Sequence, residues 1–189
     1  MVEYPTPNRT IADVIRQRRT IHQFRSECPP RELVLRGIEL ARWAPNHKHT
    51  EPWRFHLLGP ETKTAIVELN ARLVAERKGP AAGEAKRQRW SAVPGWLAVT
   101  CDRGDDAVRN EEDYAACCCA IQNLSLFLWS EGVGVKWSTG DVIRHTEFHR
   151  LIGADPLTRR VVALLWYGYP EQVPEQKRRP VGEIVVERP

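Results

Sequence analysis

Apolar and polar positions recur along this chain with two periods, one typical of helices and the other typical of strands. Apolar residues three and four apart predict helices over residues 10–19, 30–44, 61–78, 110–131 and 146–153. Alternating or continuous apolar runs predict strands over residues 53–57, 96–99, 133–137, 160–167 and 183–187. The segment 79–90 is rich in small and basic residues, and we expect it to form a looser, mobile lid.

The order of these elements predicts a central sheet covered by helices on both faces. The length suits a single domain over residues 1–189, with residues 170–189 as a proline-rich, charged arm. We expect the last strand of this arm to pair with another sheet, including one on a second chain. Small residues at 115–120 fit a helix buried in its own domain and a helix at a subunit interface equally well. No strand is followed by Gly-x-Gly-x-x-Gly and no P-loop is present, which disfavours a Rossmann fold.

Composition narrows the class of protein. Apolar residues make up 42% and charged residues 28% of the chain, which is typical of a globular protein. No apolar run reaches the roughly 20 residues of a membrane span and no secretory pattern is visible, so we expect a cytoplasmic protein with no membrane partner. The net charge is only +4 and the aromatic residues are scattered, which disfavours nucleic acid as a partner. The five cysteines lack CxxC spacing, so we expect free thiols and no metal site.

Two segments carry candidate chemistry. Arg18, Arg19 and Thr20 close the first helix, and their guanidinium groups can grip a phosphate, although a basic last turn also complements the helix dipole. The loop after Pro45 holds Asn46, His47 and His49, whose side chains can supply donors and acceptors to the edge of a flavin ring. An ordinary polar surface loop is the alternative interpretation of that loop.

Two further segments could complete such a site. Trp137, Ser138, Thr139 and Gly140 follow a predicted strand and can place backbone N–H groups against a ring, although an ordinary turn has the same composition. The basic run 177–179, which contains Lys177 and Arg179, could close on the same phosphate or remain a solvated tail.

The motifs in their order resemble those of the nitroreductase-like flavoproteins, and especially a short bacterial subgroup of NAD(P)H nitroreductases. The resemblance covers nearly the whole chain. It rests on Arg18-Arg19-Thr20 with Phe24, on Ala44-Pro45-Asn46-His47-Lys48-His49-Thr50-Glu51-Pro52-Trp53, on Gly132-Val133-Gly134 before Trp137, on Gly168-Tyr169-Pro170, and on Lys177-Arg178-Arg179-Pro180. This chain differs from the common pattern at Asn46, His49 and Glu51, where the family usually has Ser, Asn and Gln.

The resemblance implies an α+β fold with a central mixed, mainly antiparallel sheet, in a homodimer whose C-terminal arms are exchanged. It also implies one FMN at each of two subunit interfaces. The residues implied to hold FMN fall into three groups. Arg18, Arg19 and Thr20, helped by Lys177 and Arg179, would contact the phosphate and ribityl chain; Asn46, His47 and His49 would line the ring from the partner subunit; and Trp137, Ser138, Thr139 and Gly140 would lie along the ring. Lys86 and Arg89 are the candidates for a cation beside the flavin N1–O2 edge.

The function implied is that of an FMN-dependent oxidoreductase that moves electrons from NADH or NADPH, through flavin, to a nitro compound, a quinone or a similar small acceptor. No side chain need act as an acid or base in hydride transfer, so no catalytic residue is predicted. A flavin-binding sensor or storage protein without turnover is the alternative function.

Overall fold

The computed structural model describes residues 10–189. Six α-helices lie in this part of the chain: α1 Ile11–Gln17, α2 Arg31–Ala41, α3 Pro60–Lys78, α4 Pro80–Ser91, α5 Ala107–Ser130 and α6 Thr146–Leu151. The four strands are β1 Trp53–Leu57, β2 Gly95–Asp102, β3 Gly134–Ser138 and β4 Arg159–Gly168. Short 3₁₀ helices span His47–His49, Asp141–Arg144 and Val181–Glu183.

The strands form one sheet in the order β1-β2-β4-β3, and each neighbouring pair is antiparallel. One parallel bridge joins Thr20 to Val135 at the outer edge of β3. The predicted α+β fold with a mainly antiparallel sheet is therefore confirmed.

Helices cover both faces of the sheet. Successive residues of a strand point to opposite sides, so each strand contributes to two cores. Leu97 and Val99 of β2 pack in the core that includes residues of α2 and α5. Trp96 and Ala98 of the same strand belong to a second core with residues of α3, α4 and α6. No helix among residues 10–189 is both long and apolar enough to cross a bilayer.

The predicted mobile lid at 79–90 is wrong, because this segment forms the regular helix α4 with Pro80 at its start. Its small residues permit a close helix–helix contact. A Cβ atom at Gly83 would lie 2.7 Å from the Ala71 carbonyl oxygen and 2.7 Å from the Ala75 Cβ of α3. The small residues of this segment are therefore required for the packing of α4 on α3 and do not indicate a loose segment.

Other elements also differ from those predicted. α5 begins at Ala107, three residues early, because the Asp106 side chain accepts a hydrogen bond from the Arg109 N–H at 3.1 Å. The cap of α6 is His145 rather than Thr146. The predicted strand at 183–187 is not formed; the arm is exposed and makes only the turn Val181–Glu183, since a strand needs a neighbouring strand to satisfy its backbone.

Candidate active site

The Arg18–Thr20 motif lies where α1 ends and an extended segment begins to follow β3. Arg18 caps the helix. Thr20 forms its parallel bridge with Val135, and the N–H of the fully buried Ile21 donates to the Val135 carbonyl at 3.2 Å. These contacts fix the motif against the outer edge of the sheet.

The C-terminal arm returns to this motif within one chain. Burial lowers the pKa of Arg18, and the nearby guanidinium groups of Arg178 and Arg19 lower it further. The predicted phosphate contacts Lys177 and Arg179 are the exposed neighbours of Arg178 on the arm. Because like charges repel, an anion bound beside Arg18 and Arg178 would be stabilised by both.

Arg19 forms hydrogen bonds to the end of its own helix. Its Nη1 atom donates to the carbonyl oxygens of Arg16 at 2.6 Å and Arg18 at 3.0 Å. Carbonyl groups at a helix C-terminus lack partners within the helix and favour a nearby cation. Arg19 therefore completes the end of α1, and Arg18 is the arginine of the motif that lies beside the arm.

A cavity of about 520 Å³ opens beside β3, between α3, α4 and the 3₁₀ helix Asp141–Arg144. Five cationic side chains line it, so we call it the cationic cavity. Asp141 is the one carboxylate among its described lining residues, and it pairs with Arg77 and, at 3.6 Å, with Arg144. The other cations of the cavity are Lys86, Arg89 and Lys136.

Lys136 stands at the centre of this positive charge. Burial lowers its pKa, and Arg89 and Lys86 lower it further. Its Nζ atom lies 4.3 Å from the centroid of the Trp166 ring, a distance typical of a cation–π contact. Partial burial, followed by Lys136 and Arg89, also lowers the pKa of His22, so the segment after Thr20 reaches the same cluster.

Asn70 of α3 is a site residue that the sequence analysis missed. It lines the cationic cavity, and its buried Nδ2 atom has no hydrogen-bond partner among the described residues. Leaving a buried donor unsatisfied costs about 1–3 kcal/mol, and a rotation of the side chain toward the cavity would let this donor bind an acceptor on a ligand. In the sequence, Asn70 follows the apolar helix positions Ile66 and Leu69. This pattern indicates a buried polar side chain but does not show what the side chain contacts.

The segment Trp137–Gly140 divides between two cavities. Ser138 lines the cationic cavity, whereas Trp137 points to the other side of β3 and is 37% exposed. Gly140 also lines the cationic cavity, and a Cβ atom added there would meet no atom within 4 Å. Thr139 lines a second cavity on the other side of this turn.

The loop of residues 46–51 lies apart from the cationic cavity, and none of its residues lines it. The Asn46 side chain holds the loop itself: its Oδ1 accepts from the Glu51 N–H at 2.7 Å, and its Nδ2 donates to Thr50 Oγ1 at 3.0 Å. Thr50 in turn donates to the buried Asp113 of α5. The imidazoles of this loop, His47 and His49, are exposed.

Comparison with known proteins identifies the family of this chain. The chain matches the Nitroreductase family over residues 15–169. YfhC of Bacillus subtilis (strain 168), named a putative NAD(P)H nitroreductase, is 34% identical over 173 residues, which span 89% of each chain. A nitroreductase-like family protein from Bacillus cereus has a TM-score of 0.84 at 30% identity, covering 100% of this chain and 98% of that one.

A more distant structure is that of a Desulfovibrio desulfuricans protein described as a putative nitroreductase in complex with FMN. It has a TM-score of 0.75 at 24% identity, covering 96% of this chain and 98% of that one. The extent of the family match and the identity with YfhC establish that this chain belongs to the Nitroreductase family. The resemblance inferred from its motifs is confirmed.

Proposed function

We propose that this protein is an FMN-dependent oxidoreductase that takes electrons from NADH or NADPH and reduces a nitro compound, a quinone or a similar small acceptor. The observation that carries the proposal is the cationic cavity, with its unpartnered Asn70 amide, directly beside the strand that holds the Arg18–Thr20 motif. The FMN-bound relative and the name of YfhC supply the cofactor and the donor.

The residues present fit the chemical groups of FMN. A phosphate matches Arg18 and Arg178, which crowd together at the end of α1. Carbonyl and nitrogen acceptors on a flavin ring match the free Nδ2 donor of Asn70 and the ammonium group of Lys136. Gly140 leaves open space where a planar ring can approach the backbone.

When bound, FMN supplies the hydride-accepting and electron-donating chemistry. The side chains of this chain supply the electrostatic environment. Burial lowers the pKa of Lys136, and the nearby Arg89 and Lys86 lower it further, so these three cations together favour a ligand that gains negative charge. Trp166 gives Lys136 a fixed position through its ring face.

The functional unit in this proposal is a homodimer. Ile11 of α1 and Trp43, just after α2, are large apolar side chains in solvent, 75% and 72% exposed. Apolar positions grouped on neighbouring helices are typical of an interface. The loop of residues 46–51 contributes nothing to the cationic cavity of its own chain, and this is the arrangement expected if it completes the cavity of a second copy.

The first test is the absorption spectrum of the purified protein, which we expect to show bound FMN. Arg18→Ala combined with Arg178→Ala should weaken FMN binding at least 100-fold, because about 1.5–3 kcal/mol is lost for each hydrogen bond to a charged group. Arg54→Ala with Arg150→Ala is the matched control, since it removes two exposed cations that do not line the cationic cavity. Equal FMN stoichiometry in the two double variants, with both folded by circular dichroism, would place the phosphate elsewhere.

Anaerobic mixing with NADH or NADPH separates the enzyme from a flavin sensor or store. The enzyme should lose its flavin absorbance promptly and regain it when a nitro compound or quinone is added. Flavin that stays oxidised with both donors would contradict the oxidoreductase and favour the binding protein.

A further inference from the structure

A second cavity, of about 570 Å³, lies across the turn at Thr139 from the cationic cavity. We call it the arginine cavity, because the four arginines 103, 144, 159 and 160 line it. Asp102 is the one carboxylate among its described lining residues. The cavity therefore carries an excess of positive charge, and of its four arginines only Arg144 also lines the cationic cavity.

Arg159 gives the arginine cavity a buried, unsatisfied donor. The register of β2 and β4 places Arg159 opposite Asp102, and its Nη2 atom pairs with that carboxylate. Its Nη1 atom is buried without a hydrogen-bond partner among the described residues, and the whole side chain is only 13% exposed. Burying a charged donor without a partner is costly, and a rotation of the side chain toward the cavity would let this donor bind an anionic oxygen.

The neighbouring arginines are held in place. The Arg160 guanidinium lies 4.2 Å from the centroid of the Tyr114 ring, in the geometry of a cation–π contact. The backbone N–H of Arg103 donates to the Thr158 carbonyl at 2.8 Å, which positions the loop after β2 at the rim. Guanidinium groups match the oxygens of a carboxylate or a phosphate, and each of these arginines lines the cavity.

Apolar side chains, among them Ile143, Val161 and Val162, line part of the cavity, beside the polar residues Asn110, Thr139 and His149. The volume lies in the range of small-molecule sites, which combine apolar walls with a few polar groups. A free inorganic anion would leave these walls without a partner. The lining fits an organic anion with an apolar or aromatic body.

The two cavities share a wall. Ser138 and Gly140 line the cationic cavity and Thr139 between them lines the arginine cavity, while Arg144 contributes to both. A molecule in the arginine cavity would therefore lie immediately beside the proposed flavin.

We propose that the arginine cavity binds the carboxylate or phosphate of a small organic molecule whose apolar body packs on Tyr114 and the strand β4. The role of this molecule as a reaction partner of the flavin, as donor or acceptor, rests on the proposed function. The binding of the anion depends on the cavity alone.

Calorimetric titration of the FMN-loaded protein tests the proposal with two probes, sodium benzoate for a carboxylate and adenosine 2′,5′-bisphosphate for a nucleotide phosphate. We expect at least one probe to bind with a Kd of about 1 mM or tighter, and to bind more weakly as salt rises. The probe that binds identifies the source of the anion.

Arg103→Gln combined with Arg160→Gln should weaken that binding at least tenfold. Both side chains are exposed, so the fold should survive their replacement. The control Arg150→Gln removes an exposed cation that lines neither cavity and should leave binding unchanged.

Failure of both probes to bind, or equal binding by the double variant and the control, would overturn the proposal. The flavin absorbance of the same samples reports the proposed function separately. Anion binding by protein that retains no FMN would support the arginine cavity while contradicting the flavin enzyme.

Discussion

Gly134 sets how closely the Arg18–Thr20 motif approaches β3. A Cβ atom at this position would lie 2.3 Å from Ile21 Cγ1 and 2.9 Å from Ile21 Cβ, with Pro170 Cγ at 3.1 Å. Ile21 is completely buried. Gly134→Ala must therefore push the segment that follows the motif away from the strand.

The structure also sets the scale of the effect. Forcing a methyl group into a packed core typically costs about 1–3 kcal/mol. For a chain of 150–250 residues each kcal/mol lowers Tm by roughly 2–4 °C, so Gly134→Ala should lower it by about 2–12 °C. The same displacement moves Arg18 and His22 relative to Lys136, so FMN affinity should fall as well.

Gly140→Ala is the matched control for this strand. The added methyl group meets no atom within 4 Å, and φ of −60° suits alanine, so the free energy of unfolding should stay the same or rise by about 0.4–1 kcal/mol. The methyl group still enters the space that the proposed ring needs. FMN affinity should therefore fall without a loss of stability.

Thermal unfolding of flavin-free protein, followed by circular dichroism at one fixed concentration, measures the stability of both variants, since ligand and dimerisation would otherwise shift Tm. Quenching of flavin fluorescence measures FMN affinity. A Gly134→Ala protein with the Tm of the parent would refute the close approach of Ile21 to β3. Unchanged FMN affinity in Gly140→Ala would show that the turn at Gly140 does not contact the cofactor.

Two other predictions concern the opposite edge of the sheet and the loop of residues 46–51. Burial lowers the pKa of His56, and the positive charge of Arg159 lowers it further. Below about pH 6.5 the unfolded state therefore binds more protons than the folded state. The free energy of unfolding should decrease as the pH is lowered, by up to about 1.4 kcal/mol per pH unit. Urea unfolding from pH 8 to pH 5 should show a weaker decline in His56→Gln, and an identical decline would exclude His56 as its source. Asn46→Ala removes the acceptor of the Glu51 N–H and should speed hydrogen exchange of that amide, whereas the exposed His47→Ala should not. Equal protection of the Glu51 amide in the two variants would contradict the role of Asn46 in the loop.

Local signals in the sequence predicted local structure well. The helix predicted from residue 10 does begin there, because Thr10 and Asp13 form a capping box within one turn of helix. Helix α4 was missed because the small residues around Gly83 indicate disorder by composition, while their role is to let α4 pack closely on α3. Only the tertiary arrangement distinguishes these two cases.

The site shows the same division. The Arg18–Thr20 motif is contiguous and was visible in the sequence, as were Ser138 and Gly140 after the strand. Which residue of the basic run 177–179 acts on Arg18 depends on how the arm returns across the surface; after burial, the guanidinium of Arg178 is the charge that most lowers the pKa of Arg18. Asn70 lies on a helix far from these motifs in sequence, so its membership of the cavity could follow only from the fold.

The loop of residues 46–51 connects its unusual backbone to the proposed dimer. Lys48, His49 and Glu51 all have positive φ, at 57°, 51° and 46°. For residues with a side chain this conformation is uncommon, and it persists where surrounding contacts or function require it. Within its own chain the loop is fastened by Asn46 and by Asp113, yet its two histidines are left in solvent. We infer that this backbone conformation directs His47 and His49 outward. In the proposed homodimer they would contact the flavin of the second copy.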